Sequence, residues 1–321
     1  MKSVAVYRTF DTHWEKPEEE ICFKALKNLG WDVDRDKILV EEQDEETLEN
    51  FLDGADLLMI YNGMRDTCKK VVNIARKKKV KILFNEIGFL PQAISLTVDP
   101  DGLACESSLN KSIDWVTSQQ IQQVKKELRE SVLYGHYLKY SQPQKYILAA
   151  GQLLYDSQVK GCCNLTNADV ILKSCALRDE YGYPVIFRPH PKMFYEAYWD
   201  PSIKDDSHTR HEIEIEFLKE LCDKNDVYFI DHTIEGKTSF CSSAVNSFMV
   251  VAMNSTSLVE SMALEKPVLA MADCPVKKHI NDKGLTFDSG ARDKLLAAYY
   301  LSQFTHKELK KCEGILKRHG F

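Results

Sequence analysis

A chain of 321 residues can bury two cores of ordinary size, and 44% hydrophobic with 28% charged residues excludes disorder over most of its length. A net charge of -6 excludes a protein whose main work is gripping nucleic acid, while leaving room for a local basic pocket. The ten cysteines show no Cys-x-x-Cys pair and no His/Cys metal spacing, so they read as reduced. Met1 and Lys2 lead straight into a strand-like segment, and no apolar run approaches the roughly 20 residues needed to cross a bilayer. A cytoplasmic protein without a signal peptide is therefore expected, with attachment to the inner face of a membrane through a surface patch left open.

In chain order, residues 1 to about 140 alternate strand and helix signals. Val4 to Tyr7 is a strand, Glu18 to Leu29 a helix stopped by Gly30, and Trp31 to Val33 a second strand. Acidic Glu41 to Glu49 opens a solvated helix, Leu57 to Tyr61 is a buried strand ending in Asn62-Gly63, Cys68 to Lys79 is a helix, and Lys81 to Phe84 is a fourth strand. Strands alternating with helices imply a parallel sheet covered on both faces, with ligands beyond the carboxyl ends of the strands. Arg8, Asp11, His13 and Asn62 fall near those ends. The fourth strand runs into Asn85-Glu86-Ile87-Gly88, and a long loop is expected onward through Asp99-Pro100-Asp101-Gly102 to Ser107-Ser108. Asp99 and Asp101 have a chelating spacing, but Pro100 and Gly102 favour a turn.

Ser118 to Tyr140 is helical and Ser141 to Gln144 reads as a linker, which divides the chain into residues 1–142 and 143–321, the final helix being a candidate to pack back on the first domain. Lys145 to Ala150 starts a second α/β domain, leading into Gly151-Gln152 and Asp156-Ser157-Gln158 without the Gly-x-Gly-x-x-Gly of nicotinamide or flavin binding. A helix over Asn167 to Tyr181 precedes Pro184-Val-Ile-Phe-Arg-Pro-His-Pro-Lys192. Here Val185 to Phe187 is a buried strand, and Pro189 and Pro191 hold His190 extended at its end. Arg188 and Lys192 set two cations beside the imidazole, a surrounding suited to an anion such as phosphate.

Asp205 to His211 reads as a loop into the helix Glu212 to Cys222; His208 and His211 lack a third metal ligand. Val227 to Ile230 is a strand, Ser239 to Ser247 a short helix, and Phe248 to Met253 a buried strand ending in Asn254-Ser255-Thr256-Ser257. Helix follows to Leu264, with Ser257 and Glu260 spaced as a capping box, and the hydroxyls and free N–H groups at that helix start form a phosphate site. Pro267 to Met271 is a strand, Ala291 to Gln303 a helix, and Lys307 to Arg318 a charged, solvated face.

Four stretches taken together resemble the capsule polysaccharide biosynthesis family, which includes the 3-deoxy-manno-octulosonic acid (Kdo) transferases. They are Glu86 to Pro91 with Asp101-Gly102, Gly151-Gln152 with Asp156 to Gln158, Arg188-Pro189-His190-Pro191, and Asn254 to Ser257 with Glu260. The resemblance implies a GT-B glycosyltransferase of two Rossmann-like domains facing a cleft, the first binding the acceptor and the second the nucleotide sugar. It implies a CMP-linked donor of Kdo or a similar acid sugar and a saccharide or glycolipid acceptor; no nucleic-acid partner, cofactor or metal is expected. Glu86 would be the catalytic carboxylate, and His190 would contact the nucleotide phosphate. Arg188 and Lys192 would stand beside that phosphate, with Ser255, Thr256 and Ser257 holding it. Glu260 would belong to the same donor site, and Gln152 would line the cleft. Ile87 stands where many relatives carry a second acid, so Glu86 is alone and would serve either as general base in an inverting reaction or as nucleophile in a retaining one. A nucleotide-sugar-binding scaffold without catalysis, and a sugar-nucleotide epimerase of the same fold, are the alternatives.

Overall fold

The computed structural model describes residues 2–8, 17–40, 43–64, 66–139, 146–194, 207–235, 239–281 and 288–321. Asp11, His13, the linker at 141–144 and Asp205 lie outside the described residues. The chain divides into two compact units, one of residues 1–116 with 297–321 and one of residues 117–296.

The first unit contains β1 (Lys2–Arg8), α1 (Pro17–Asn28), β2 (Trp31–Val40), α2 (Glu45–Phe51), β3 (Leu57–Tyr61), α3 (Asp66–Lys78), β4 (Lys81–Ile87) and β5 (Ser95–Asp99). The second runs through α4 (Ser118–Glu130), α5 (Val132–Lys139), β6 (Tyr146–Ala150), α6 (Ser157–Lys160), α7 (Asn167–Tyr181), β7 (Val185–Arg188), α8 (Ser207–Lys224), β8 (Val227–Phe229), α9 (His232–Glu235), α10 (Phe240–Ala244), β9 (Ser247–Ala252), α11 (Thr256–Ala263), β10 (Val268–Ala270) and into α12 (Ser289–Leu301). The chain then returns to the first unit with β11 (Gln303–Thr305) and α13 (Leu309–Arg318).

The first sheet has the order β11-β5-β4-β3-β1-β2. Its central strands are parallel and buried on both faces, so successive side chains feed two cores. Val4, Met59 and Leu83 join α1 and α13 on one face, whereas Leu58, Ile60 and Phe84 join α2 and α3 on the other. The expected long loop after β4 is instead a return strand: β5 pairs antiparallel with β4, and β11 antiparallel with β5. Residues 307–318 are not a solvated face either. Cys312, Ile315 and Leu316 recur at helical spacing, are at most 2% exposed and face α1, and Asn28 Nδ2 donates to Glu313 Oε1 at 2.7 Å.

The second sheet is parallel throughout, in the order β10-β9-β6-β7-β8. Chain order reverses at β6, where one run goes outward to β7 and β8 and the next to β9 and β10. The crevice at the carboxyl ends of β6 and β9 is thus the topological switch point of a doubly wound sheet. The helix expected over residues 118–140 is two helices, both in the second unit, separated by Ser131 in extended conformation. Helix α7 has the termini its sequence calls for: Thr166 and Asp169 form a capping box, and Gly182 closes the helix at φ 76°. The loop expected over 205–211 is helical from Ser207, which puts His208 and His211 within α8. Cys22, Cys68, Cys163, Cys175, Cys222, Cys241, Cys274 and Cys312 are free thiols.

Candidate functional site

Three neighbouring strand ends of the second sheet are stitched together by polar groups. Gly151, just past β6, donates its N–H to the Arg188 carbonyl of β7 at 2.8 Å. Its backbone comes so close to β7 that an added Cβ would lie 2.9 Å from the Phe187 ring and 3.1 Å from Pro189 Cα, which is why glycine is required. Gln152 joins β6 to β9: its Nε2 donates to Asn254 Oδ1 at 3.1 Å, and its Oε1 accepts from Asn254 N at 2.9 Å. Asn254 Nδ2 in turn donates to the Gln158 carbonyl at 2.8 Å. The Gln152 side chain, expected to line a ligand cleft, is thus committed to bracing the Asn254–Ser257 turn.

That turn enters α11. Ser255, in extended conformation, is the N-cap, and its hydroxyl accepts from Ser257 N at 3.2 Å. The expected capping box of Ser257 and Glu260 is therefore not formed, because the helix begins two residues earlier than that pairing requires. Ser257 Oγ is left buried and without a hydrogen-bond partner among the described residues. The first N–H groups of α11 and the hydroxyls of Ser255, Thr256 and Ser257 stand together where the helix dipole favours an anion.

His190 follows β7 on the same edge of the sheet. Its Nδ1 accepts from Lys192 N at 3.1 Å, so the proton sits on Nε2, which remains a donor. Burial, then the cations Lys192 and Arg188, then His232, hold its pKa down at about 4, and the ring is neutral at pH 7. Because this lies below the ordinary value of 6.5, the unfolded chain takes up a proton in that window that the folded chain refuses. Stability tied to His190 is present above pH 6.5 and lost as pH falls toward 4. The stability of the wild type relative to His190→Gln should accordingly fall over that window, as read from urea midpoints; a difference independent of pH would contradict the assignment.

Sequence reasoning missed His232. It is 1% exposed and donates from Nε2 to the Pro189 carbonyl at 3.3 Å, with its ring edge-on to Phe194 at 5.5 Å, so it steadies the peptide that carries His190. A lone histidine in a short helix gives no sequence signal for that role. Arg188 is 7% exposed, with its guanidinium 5.8 Å from the Phe240 ring centre. Burial pushes Glu260 up to about 7 against the pull of Arg188. Lys192 is exposed. Of the expected donor-site residues, the structure therefore brings Arg188, His190, Lys192, Ser255, Thr256 and Ser257 to one edge of the second sheet, with Gln152 beneath them and Glu260 one turn into α11.

Glu86 belongs to the first unit. It lies within β4, near its carboxyl end, at 7% exposure and opposite Thr97 of β5. Its Oε1 accepts from Ile87 N at 2.9 Å. The turn beyond it, with a cis Leu90-Pro91 bond, is held from β11, where Gln303 Oε1 accepts from Phe89 N at 2.7 Å and Leu90 N at 2.9 Å and Gln303 Nε2 donates to the Leu90 carbonyl. Gln303 lies more than 200 residues from this turn, so no local pattern announces it. Asn62 turns the chain after β3 at φ 44°, its N–H donating to the Asn85 carbonyl at 2.9 Å.

Asp99 is occupied by its own loop, as a turn requires. Oδ1 accepts from Asp101 N at 2.9 Å, and Oδ2 accepts from the hydroxyls of Ser107 and Ser108 at 2.8 and 2.9 Å. Asp101 pairs with Lys111 at 2.8 Å. Among the described residues no group of three or more His, Cys, Asp or Glu side chains is placed to hold a metal ion, and no helix is long and apolar enough to cross a membrane.

No protein-family profile matches the sequence, and no curated protein does. Among solved structures the chain is similar to KpsC of Thermosulfurimonas dismutans. Against the β-Kdo 2,4 transferase the TM-score is 0.59 at 18% identity, covering 95% of this chain and 92% of that one. Against the β-Kdo 2,7 transferase the TM-score is 0.55 at 14% identity, covering 97% and 99%. The likeness is one of fold: an α/β chain of the GT-B class, with two Rossmann-like units.

Proposed function

We propose that the chain is a metal-independent glycosyltransferase that moves Kdo or a similar acid sugar from a CMP donor to a saccharide or glycolipid acceptor. The observation that carries this reading is the gathering of a neutral His190 Nε2–H, the Arg188 guanidinium and the serine-rich start of α11 on one edge of the second sheet, at its switch point. A departing nucleotide gains negative charge as the sugar–phosphate bond breaks, and fixed donors aimed at that charge lower the barrier without reorganising. His190 donates to a phosphate oxygen, Arg188 balances its charge, and Ser255, Thr256 and Ser257 with the α11 N–H groups hold it. Lys192 adds a solvent-facing cation. Glu86 supplies the carboxylate of the reaction from the first unit. As general base it takes the proton of the acceptor hydroxyl and the product is inverted; as nucleophile it bonds transiently to the sugar and configuration is retained. The anomeric configuration of the product separates the two. The work is cytoplasmic in this reading, with the chain resting against a membrane where the acceptor is a glycolipid.

A thermal-shift panel of CMP, UDP, GDP and ADP, with and without a divalent-cation chelator, tests the donor assignment, because a nucleotide that binds the folded state raises its melting temperature. CMP alone should stabilise, equally with chelator present. Stabilisation by UDP or GDP in its place overturns the CMP donor, and loss of the CMP shift in chelator overturns metal independence.

A further inference from the structure

Tyr134 of α5 is 1% exposed, yet its hydroxyl has no hydrogen-bond partner among the described residues. A phenylalanine would fill the same space without that cost, which is about 1–3 kcal/mol for a buried polar group left unsatisfied. Its surroundings indicate what the hydroxyl serves. Helices α5 and α11 both pack on α10, and the groups that act electrostatically on the Tyr134 hydroxyl are Glu260 of α11 and Cys241 of α10. Arg188 of β7 acts on the same two groups. Tyr134, Arg188 and Cys241 are buried and Glu260 is half-buried, and both the Tyr134 hydroxyl and the Arg188 guanidinium feel the charge of Glu260.

An anion arriving at the start of α11 competes with Glu260 for Arg188. Glu260 must then find another partner for its charge or take up a proton. We propose that Tyr134 is a positioning residue of the donor site, its hydroxyl donating to the Glu260 carboxylate when a nucleotide phosphate draws Arg188 away. The inference rests on the donor site proposed above. It gives the otherwise wasted hydroxyl a partner in the bound state and lets Glu260 stay ionised there. Glu260 sits near neutrality in the free protein, pushed up by burial to about 7, so its charge state changes across the accessible pH range. The charged or titratable groups facing it are Arg188, Cys241 and Tyr134, and burial pushes the Cys241 thiol up to about 12, out of that range.

The test compares wild type with Tyr134→Phe, using CMP as probe, by melting temperature and by calorimetric affinity at about pH 6 and pH 8, on either side of the Glu260 transition. Without ligand the variant should melt at or above the wild-type temperature, since only an unpartnered hydroxyl is lost. Its CMP affinity should be about tenfold weaker at the higher pH, the scale of a hydrogen bond to a charged group, and close to wild type at the lower pH, where Glu260 is protonated. Equal affinities at the higher pH overturn the inference alone, as does an equal loss at both pH values. A wild type that binds no CMP overturns the donor site and the inference together.

Discussion

Replacing His190 with alanine should lower the rate of sugar transfer by about 10²–10³ at saturating donor, the usual loss when one preorganised donor is removed from a developing charge. The fold should survive, because the imidazole makes a single local contact, accepting Lys192 N, while Pro189 and Pro191 keep the backbone extended and His232 still holds the Pro189 carbonyl. The side chain acts as a neutral donor, so the loss should not depend on pH between about 6 and 8, well above its depressed pKa. His190→Gln restores an N–H donor and should recover part of the rate. Rates from steady-state kinetics and melting curves from circular dichroism decide the matter. Normal turnover by the alanine variant would mean that the strand end does not act on the leaving phosphate.

Glu86→Gln should reduce transfer by about 10²–10⁴, the range of general acid–base catalysis, and should leave the melting shift produced by CMP unchanged. The two effects separate because Glu86 belongs to the first unit whereas the groups proposed to hold the phosphate belong to the second. Glutamine keeps the shape of the side chain and one carbonyl oxygen to accept the Ile87 N–H, so stability should change little. Ile87 leaves no adjacent acid to take over. A variant that transfers sugar at the wild-type rate would remove Glu86 from the chemistry, and a wild type inert toward every acceptor would favour a binding scaffold.

The parts of the fold that sequence made legible are those whose signal is local. Leu57 to Ile60 are buried in an unbroken apolar run, and Asn167 to Tyr181 carries its start at Thr166 and its stop at Gly182. The stretch around His190 was readable because two prolines leave the backbone few options. Elements whose stability comes from distant partners were not. Ser95 to Asp99 is flanked by Pro91 and Pro100 and looks like loop until β4 and β11 supply its hydrogen bonds. The apolar stripe of α13 is hidden among lysines. At the candidate site, the residues proposed to hold an anion stood out by type and spacing, but the groups that brace them did not. Gln152 as a brace for Asn254, His232 beneath Pro189, Gln303 across the Leu90 turn and the buried hydroxyl of Tyr134 all depend on contacts between segments far apart in the chain.

The most direct test of a sugar-transferring role is incubation of the wild type with CMP-Kdo and a panel of saccharide and glycolipid acceptors, following CMP release and the mass of each acceptor. The expected result is acceptor-dependent CMP release with one Kdo added to a saccharide or glycolipid, undiminished by chelator. Conversion of the sugar nucleotide without any acceptor, or no release with any acceptor by a protein that binds CMP, would contradict it.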